Sequence, residues 1–169
     1  MTTQTIIALL ADGAIIPVLL IAAFALVFLV PKGQRFQAYV RILIAGITAY
    51  LLAKLLGAVY QPSSERPFEL LGLTAGASYL NNPGFPSDHA LFAAFLTFAV
   101  WFETRKKALT IILAVLTILM CIGRVLALVH TPLDVVGGVA IAAFGALWYL
   151  QRGSNPVAKI ARKKPKKAV

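Results

Sequence analysis

His89 and His130 are the only two histidines among 169 residues, and each stands in a short run of polar side chains at the edge of an apolar stretch. Arg124, His130 and Asp134 straddle the turn between two such stretches. A carboxylate held against one imidazole nitrogen fixes the tautomer and leaves the other nitrogen as a nucleophile or base. Asp134, four residues after His130, is placed to do this. The same Asp134 also closes a capping box with Thr131 ahead of Pro132. Capping accounts for the aspartate, but not for a histidine immediately before the cap. At the other site Pro86-Ser87-Asp88-His89 opens an apolar stretch. Ser87 reads as a helix N-cap, Asp88 favours the helix dipole, and the free N–H groups there form an anion site. His89 gains nothing from a helix start, so it is the second candidate for acid–base work.

Three cations accompany the histidines. Arg124 at membrane depth reads as an anion ligand. Arg66-Pro67 lies in a loop, where an arginine carries little weight alone. Lys54 reads equally as a headgroup anchor or a phosphate ligand. These cations, both histidines and the carboxylates Asp88, Asp134, Glu65 and Glu69 map to one face of the chain. Such a set suits a phosphorylated molecule.

The elements that must position them are apolar helices. The chain is 60% hydrophobic and 13% charged, with a mean hydropathy of +0.85, against about half and about a quarter in a soluble domain. Five stretches, 5–30, 39–60, 87–102, 108–129 and 132–149, have the length and composition of membrane spans, which predicts an all-α integral membrane bundle. Pro17 is a candidate kink in the first span. Residues 61–86, rich in Pro, Gly, Ser and Asn, read as a structured loop, with Phe68, Leu70, Leu71 and Leu73 as a short interfacial helix. The chain thus divides into a membrane domain over 1–151 and a basic tail over 152–169. The single Cys121 excludes an intrachain disulfide framework.

Of 16 basic residues, thirteen lie in three groups: Lys32, Arg35 and Arg41; Arg105, Lys106 and Lys107; and seven from Arg152 onward. With five spans these share one side, and the enrichment of cytoplasmic loops in Lys and Arg makes that side the cytoplasm. The N-terminus and the histidines are then outside and the C-terminus inside. The tail's expected partner is anionic lipid headgroups rather than nucleic acid.

Three motifs, in order, resemble those of the type-2 phosphatidic acid phosphatase superfamily of membrane lipid phosphatases. The family pattern is Lys, six residues, Arg-Pro; then Pro-Ser-Gly-His; then Ser-Arg, five residues, His, three residues, Asp. Here stand Lys54 with Arg66-Pro67, Pro86-Ser87-Asp88-His89, and Gly123-Arg124 with His130 and Asp134. Eleven residues separate Lys54 from Arg66, Asp88 replaces the glycine, and Gly123 replaces the serine, removing one hydroxyl donor. Phe85 to Ala90, Arg66-Pro67-Phe68 and His130 to Val135 look most like the bacitracin-resistance branch, which hydrolyses undecaprenyl diphosphate. The resemblance implies that His130 is a nucleophile oriented by Asp134 and that His89 is a general acid and then base. It implies that Arg66, Arg124, Ser87, Asp88 and Lys54 surround the phosphate. Fixed cations supply the charge stabilisation that phosphoryl transfer needs, so neither a metal nor a cofactor is expected. The expected substrate is undecaprenyl diphosphate at the outer face of the cell membrane, with phosphatidylglycerophosphate, phosphatidic acid and other polyprenyl phosphates as runners-up. A non-hydrolytic transporter of such lipids is the alternative class.

Overall fold

The computed structural model describes residues 2–63 and 65–153. Among them there are helices and no strands: α1 (Thr3–Ala8), α2 (Ile15–Phe24), α3 (Arg35–Val59), α4 (Pro67–Leu70), α5 (Asp88–Thr104), α6 (Lys107–Leu126) and α7 (Pro132–Gly145). Irregular turns extend several of these, so that Thr3–Leu29, Lys32–Val59, Lys107–Leu126 and Pro132–Gln151 are each long and apolar enough to cross a membrane. The expected fifth span corresponds to α5, which at 17 residues and 1.5 Å per residue is about 26 Å long. The basic tail from residue 154 lies outside the described residues.

α5 is the centre of the bundle. Ala90, Leu91, Ala93, Ala94, Thr97, Ala99 and Val100 are buried, and the helix packs on α7, α6, α2 and α3. The outer helices bury narrow stripes of small residues and leave large ones exposed, such as Leu43, Leu51, Ile111 and Ile118. That inverts the soluble pattern and suits a lipid solvent, in which close backbone approach replaces the hydrophobic drive. Ala45, Ala49 and Ala53 form such a stripe on α3, and Gly145 of α7 sits so close that an added Cβ would lie 2.7 Å from the Ala45 carbonyl. The buried hydroxyls of Thr97 and Thr117 donate to carbonyls of their own helices, each at 2.8 Å, which satisfies both donors within the bundle.

The N-terminal helix bends its hydrogen-bond ladder rather than breaking. A π-helical turn, Leu9–Gly13, joins α1 to α2. Pro17 supplies the cause: it has no N–H for the Gly13 carbonyl four residues back, and its ring crowds that carbonyl. A second π-turn, Ala25–Leu29, ends at Val30-Pro31. The predicted interfacial helix is the single turn of α4, which buries Phe68 and exposes Leu70 and Leu71.

Arg41 is not a free topology charge. It makes a two-pronged pair with buried Glu103 at the far end of α5, both contacts at 2.8 Å. The sequence reading assigned Arg41 to loop flanks and gave Glu103 no role.

Candidate active site

The site is built where the starts of α5 and α7, the end of α6 and the 61–86 loop meet. Thr131 caps α7 as its sequence predicts: its Oγ1 accepts from the Asp134 N–H at 3.2 Å, and Asp134 Oδ2 accepts from the Thr131 N–H at 2.7 Å. The same Oδ2 lies 3.5 Å from His130 Nδ1, longer than a formed hydrogen bond, and Nδ1 is buried with no hydrogen-bond partner among the described residues, so this carboxylate is the polar group that the ring nitrogen faces. Capping and orientation therefore coexist in one carboxylate. Both side chains are buried. Burial holds the His130 pKa below its ordinary value, with Arg124 and Arg66 adding to the effect and Asp134 opposing it. The surroundings of His130 therefore favour the neutral ring over the charged one.

Ser87 caps α5, its Oγ accepting from the Ala90 N–H at 3.5 Å, while its own N–H donates to the Asp134 carbonyl at 3.0 Å. The two helix starts are thus tied together. Glycines allow this contact: a Cβ at Gly138 would lie 2.6 Å from the Ser87 carbonyl, and one at Gly137 would run into the Phe85 ring. Gly84 lies over the His130–Asp134 pair, where a Cβ would come 3.0 Å from Asp134 Oδ2.

Arg66 is buried, and its guanidinium is largely committed to backbone. It donates to the carbonyls of Val129 (2.5 Å), Leu80 (3.1 Å) and Asn82 (3.1 Å) and to Asn82 Oδ1 (2.9 Å). Since Val129 precedes His130, Arg66 braces the loop against the histidine's own segment. Arg124, also buried, donates from Nη1 to Asp12 Oδ1 at 2.7 Å. Its Nε is buried without a hydrogen-bond partner among the described residues.

Arg66, Asp88, His89, Arg124 and His130 line one cavity of about 190 Å³, together with loop residues 78–80, 82–84 and 86. Asp134 stands behind His130, and Ser87 lies buried beneath. Lys54 is outside the cavity wall; its Nζ lies 3.7 Å from Asp88 Oδ1, both side chains being about half exposed. The structure therefore gathers five of the eight expected residues on one cavity and two in direct support. Lys54 stands at the side, where it neutralises Asp88. Two guanidiniums, Arg66 and Arg124, line the cavity.

Sequence reading missed Asp12, Asn82 and the glycines at 84, 137 and 138. Asp12 had a usable signal: it is the one charged residue in the first 31, and an ionisable group at membrane depth calls for a partner. A family model described as the PAP2 superfamily matches residues 38–156. No curated protein and no solved structure matches the chain.

Proposed function

The chain belongs to the PAP2 superfamily, a phosphatase family, and on that premise we propose that it hydrolyses a lipid phosphate or diphosphate through a phosphohistidine intermediate. The carrying observation is the meeting of two histidines and two buried guanidiniums on one small cavity at the end of an apolar bundle. Arg124 Nε is buried and has no acceptor among the described residues, and a phosphoryl oxygen would supply one.

His130 Nε2 attacks phosphorus, forming a P–N bond as the bond from phosphorus to the leaving oxygen breaks. Asp134 holds the Nδ1 proton and stabilises the positive ring. His89 gives its proton to the leaving oxygen. A water molecule then attacks the phosphohistidine, His89 takes the water's proton, the P–N bond breaks, and inorganic phosphate leaves. Arg124 and the remaining donors of Arg66 bear the charge of the equatorial oxygens. The N–H groups at the start of α5 add a fixed positive potential.

A second feature supports a lipid. Beneath the site, α5 floors a groove of about 480 Å³ between α6 and α7, lined almost wholly by carbon. Cys121 and Val135 at its upper end stand three residues from Arg124 and next to Asp134. A hydrocarbon tail in the groove places its phosphate at the site. The basic groups at 32–35 and 105–107 lie at the opposite end of the bundle from the site, and the enrichment of cytoplasmic segments in Lys and Arg supports a site that faces outside. Undecaprenyl diphosphate is the substrate we favour.

The test is phosphate release by the purified protein from a panel of undecaprenyl diphosphate, phosphatidylglycerophosphate and phosphatidic acid, with EDTA in excess. Release is expected, fastest from the diphosphate. A strict need for added magnesium contradicts the fixed-cation mechanism, and lipid binding without release favours transport.

A further inference from the structure

Asp12 lies outside the region matched by the family, yet it bonds two residues that line the cavity. Its Oδ1 accepts from Arg124 Nη1 at 2.7 Å and its Oδ2 accepts from the Ser78 N–H at 2.8 Å. One carboxylate therefore holds two walls of the same cavity, the α6 arginine and the loop facing it. We propose that Asp12 is a positioning residue that aligns the Arg124 guanidinium for the transferred phosphoryl group, and that Gly123 is present in this chain to admit it.

The local backbone carries the argument. Asp12 sits in the π-helical turn Leu9–Gly13, and such turns re-aim side chains at functional sites. That turn presses directly on α6. A Cβ at Gly123 would lie 2.6 Å from the Ala11 nitrogen and 2.8 Å from the Leu10 carbonyl carbon, contacts that backbone cannot relieve by a rotamer change. The glycine where the family pattern has serine thus has a physical reason. A side chain there would push the turn, and Asp12 with it, away from Arg124. With Nη1 fixed by Asp12, the guanidinium plane is set, and its buried Nε has no acceptor among the described residues. Asp12 itself remains one-third exposed, at the edge of the cavity rather than within it.

This inference rests on the reading that Arg124 grips phosphate, so its test uses a readout independent of turnover. The full-length protein in detergent is titrated with inorganic phosphate, following its thermal stabilisation, and kcat and KM are measured separately. In Asp12→Ala the phosphate affinity is expected to weaken about 10- to 100-fold, the range set by losing a charge-assisted hydrogen bond, with KM rising and the acid limb of the pH profile unmoved. Asp12→Asn keeps one acceptor and is expected to fall between Asp12→Ala and wild type. Gly123→Ala should reproduce the Asp12→Ala loss. If Asp12→Ala does not fold, Asp12→Asn decides alone by weakened affinity. Unchanged or tighter phosphate binding in Asp12→Asn shows Asp12 to be a mere counter-charge and overturns the proposal, as does a wild-type protein that phosphate does not stabilise. Weakened phosphate binding in a protein inactive on every lipid leaves the Asp12 role standing and removes the phosphatase reading instead.

Discussion

At the scale of single residues, the account divides labour between two histidines that differ in their surroundings. His130 is packed beside a carboxylate, and its loss is expected to abolish turnover and covalent phosphate capture together. His89 lines the cavity, where a proton donor can meet the leaving oxygen. General acid catalysis is worth about 100- to 10,000-fold. A lipid monophosphate leaves as an alkoxide that needs a proton, whereas a diphosphate leaves as a phosphate that needs one less. His89→Ala should therefore damage monophosphate hydrolysis more, as kcat/KM on matched lipids shows; equal damage removes its acid role. The pH dependence has a definite sign. In the proposed mechanism the neutral ring of His130 attacks, and burial lowers its pKa, so kcat/KM should hold as the pH falls through about 6.5, the ordinary histidine value, and decline only below it. Asp134 raises that pKa, so the residual activity of Asp134→Asn should have its acid limb lower still. An acid limb above the ordinary histidine range contradicts the assignment.

At the scale of elements, the site depends on how closely helix starts approach one another. Gly138 lets α7 meet the Ser87 carbonyl, and Ser87 in turn bonds the Asp134 carbonyl. Gly138→Ala inserts a methyl group into backbone and should cost on the order of 1–3 kcal/mol, read as a lower melting temperature in detergent along with lost activity. Gly84→Ala crowds only Asp134 Oδ2 and should lose activity with the melting temperature largely kept. Ala140 lines the apolar groove, so Ala140→Phe should raise KM for long-tailed lipids and leave a short-chain soluble phosphate ester unaffected. Much of this level was legible beforehand. The caps at Ser87 and Thr131, the helix starts and the His130–Asp134 spacing are local signals within four residues. The glycine contacts were not, since a glycine's role is set by whatever backbone lies opposite, which spacing along one chain does not reveal. Asp12 and Arg124 are 112 residues apart, and the Arg66 brace to the Val129 carbonyl spans 63.

At the scale of the whole molecule, composition sufficed for the membrane class, because a lipid solvent demands apolar helical surface wherever the chain meets it. The proposed sidedness rests on the basic residues at the end remote from the site. With Cys121 replaced by serine, a cysteine introduced at Ser78 is expected to react with an impermeant maleimide added to intact cells; labelling only after the membrane is breached reverses the orientation. Arg41 shows the limit of reading charge by position alone, since its pairing with Glu103 makes it a link between α3 and α5. The central claim joins all three scales: an apolar bundle holds a buried histidine ready to take phosphate from a lipid. Its most direct test is a rapid quench of the purified protein with a terminally labelled lipid diphosphate in EDTA, followed by peptide mapping under alkaline conditions that preserve phosphohistidine. The account predicts label on His130 that turns over to inorganic phosphate and is absent in His130→Ala. Label on His89, or rapid phosphate release without any labelled enzyme, contradicts it.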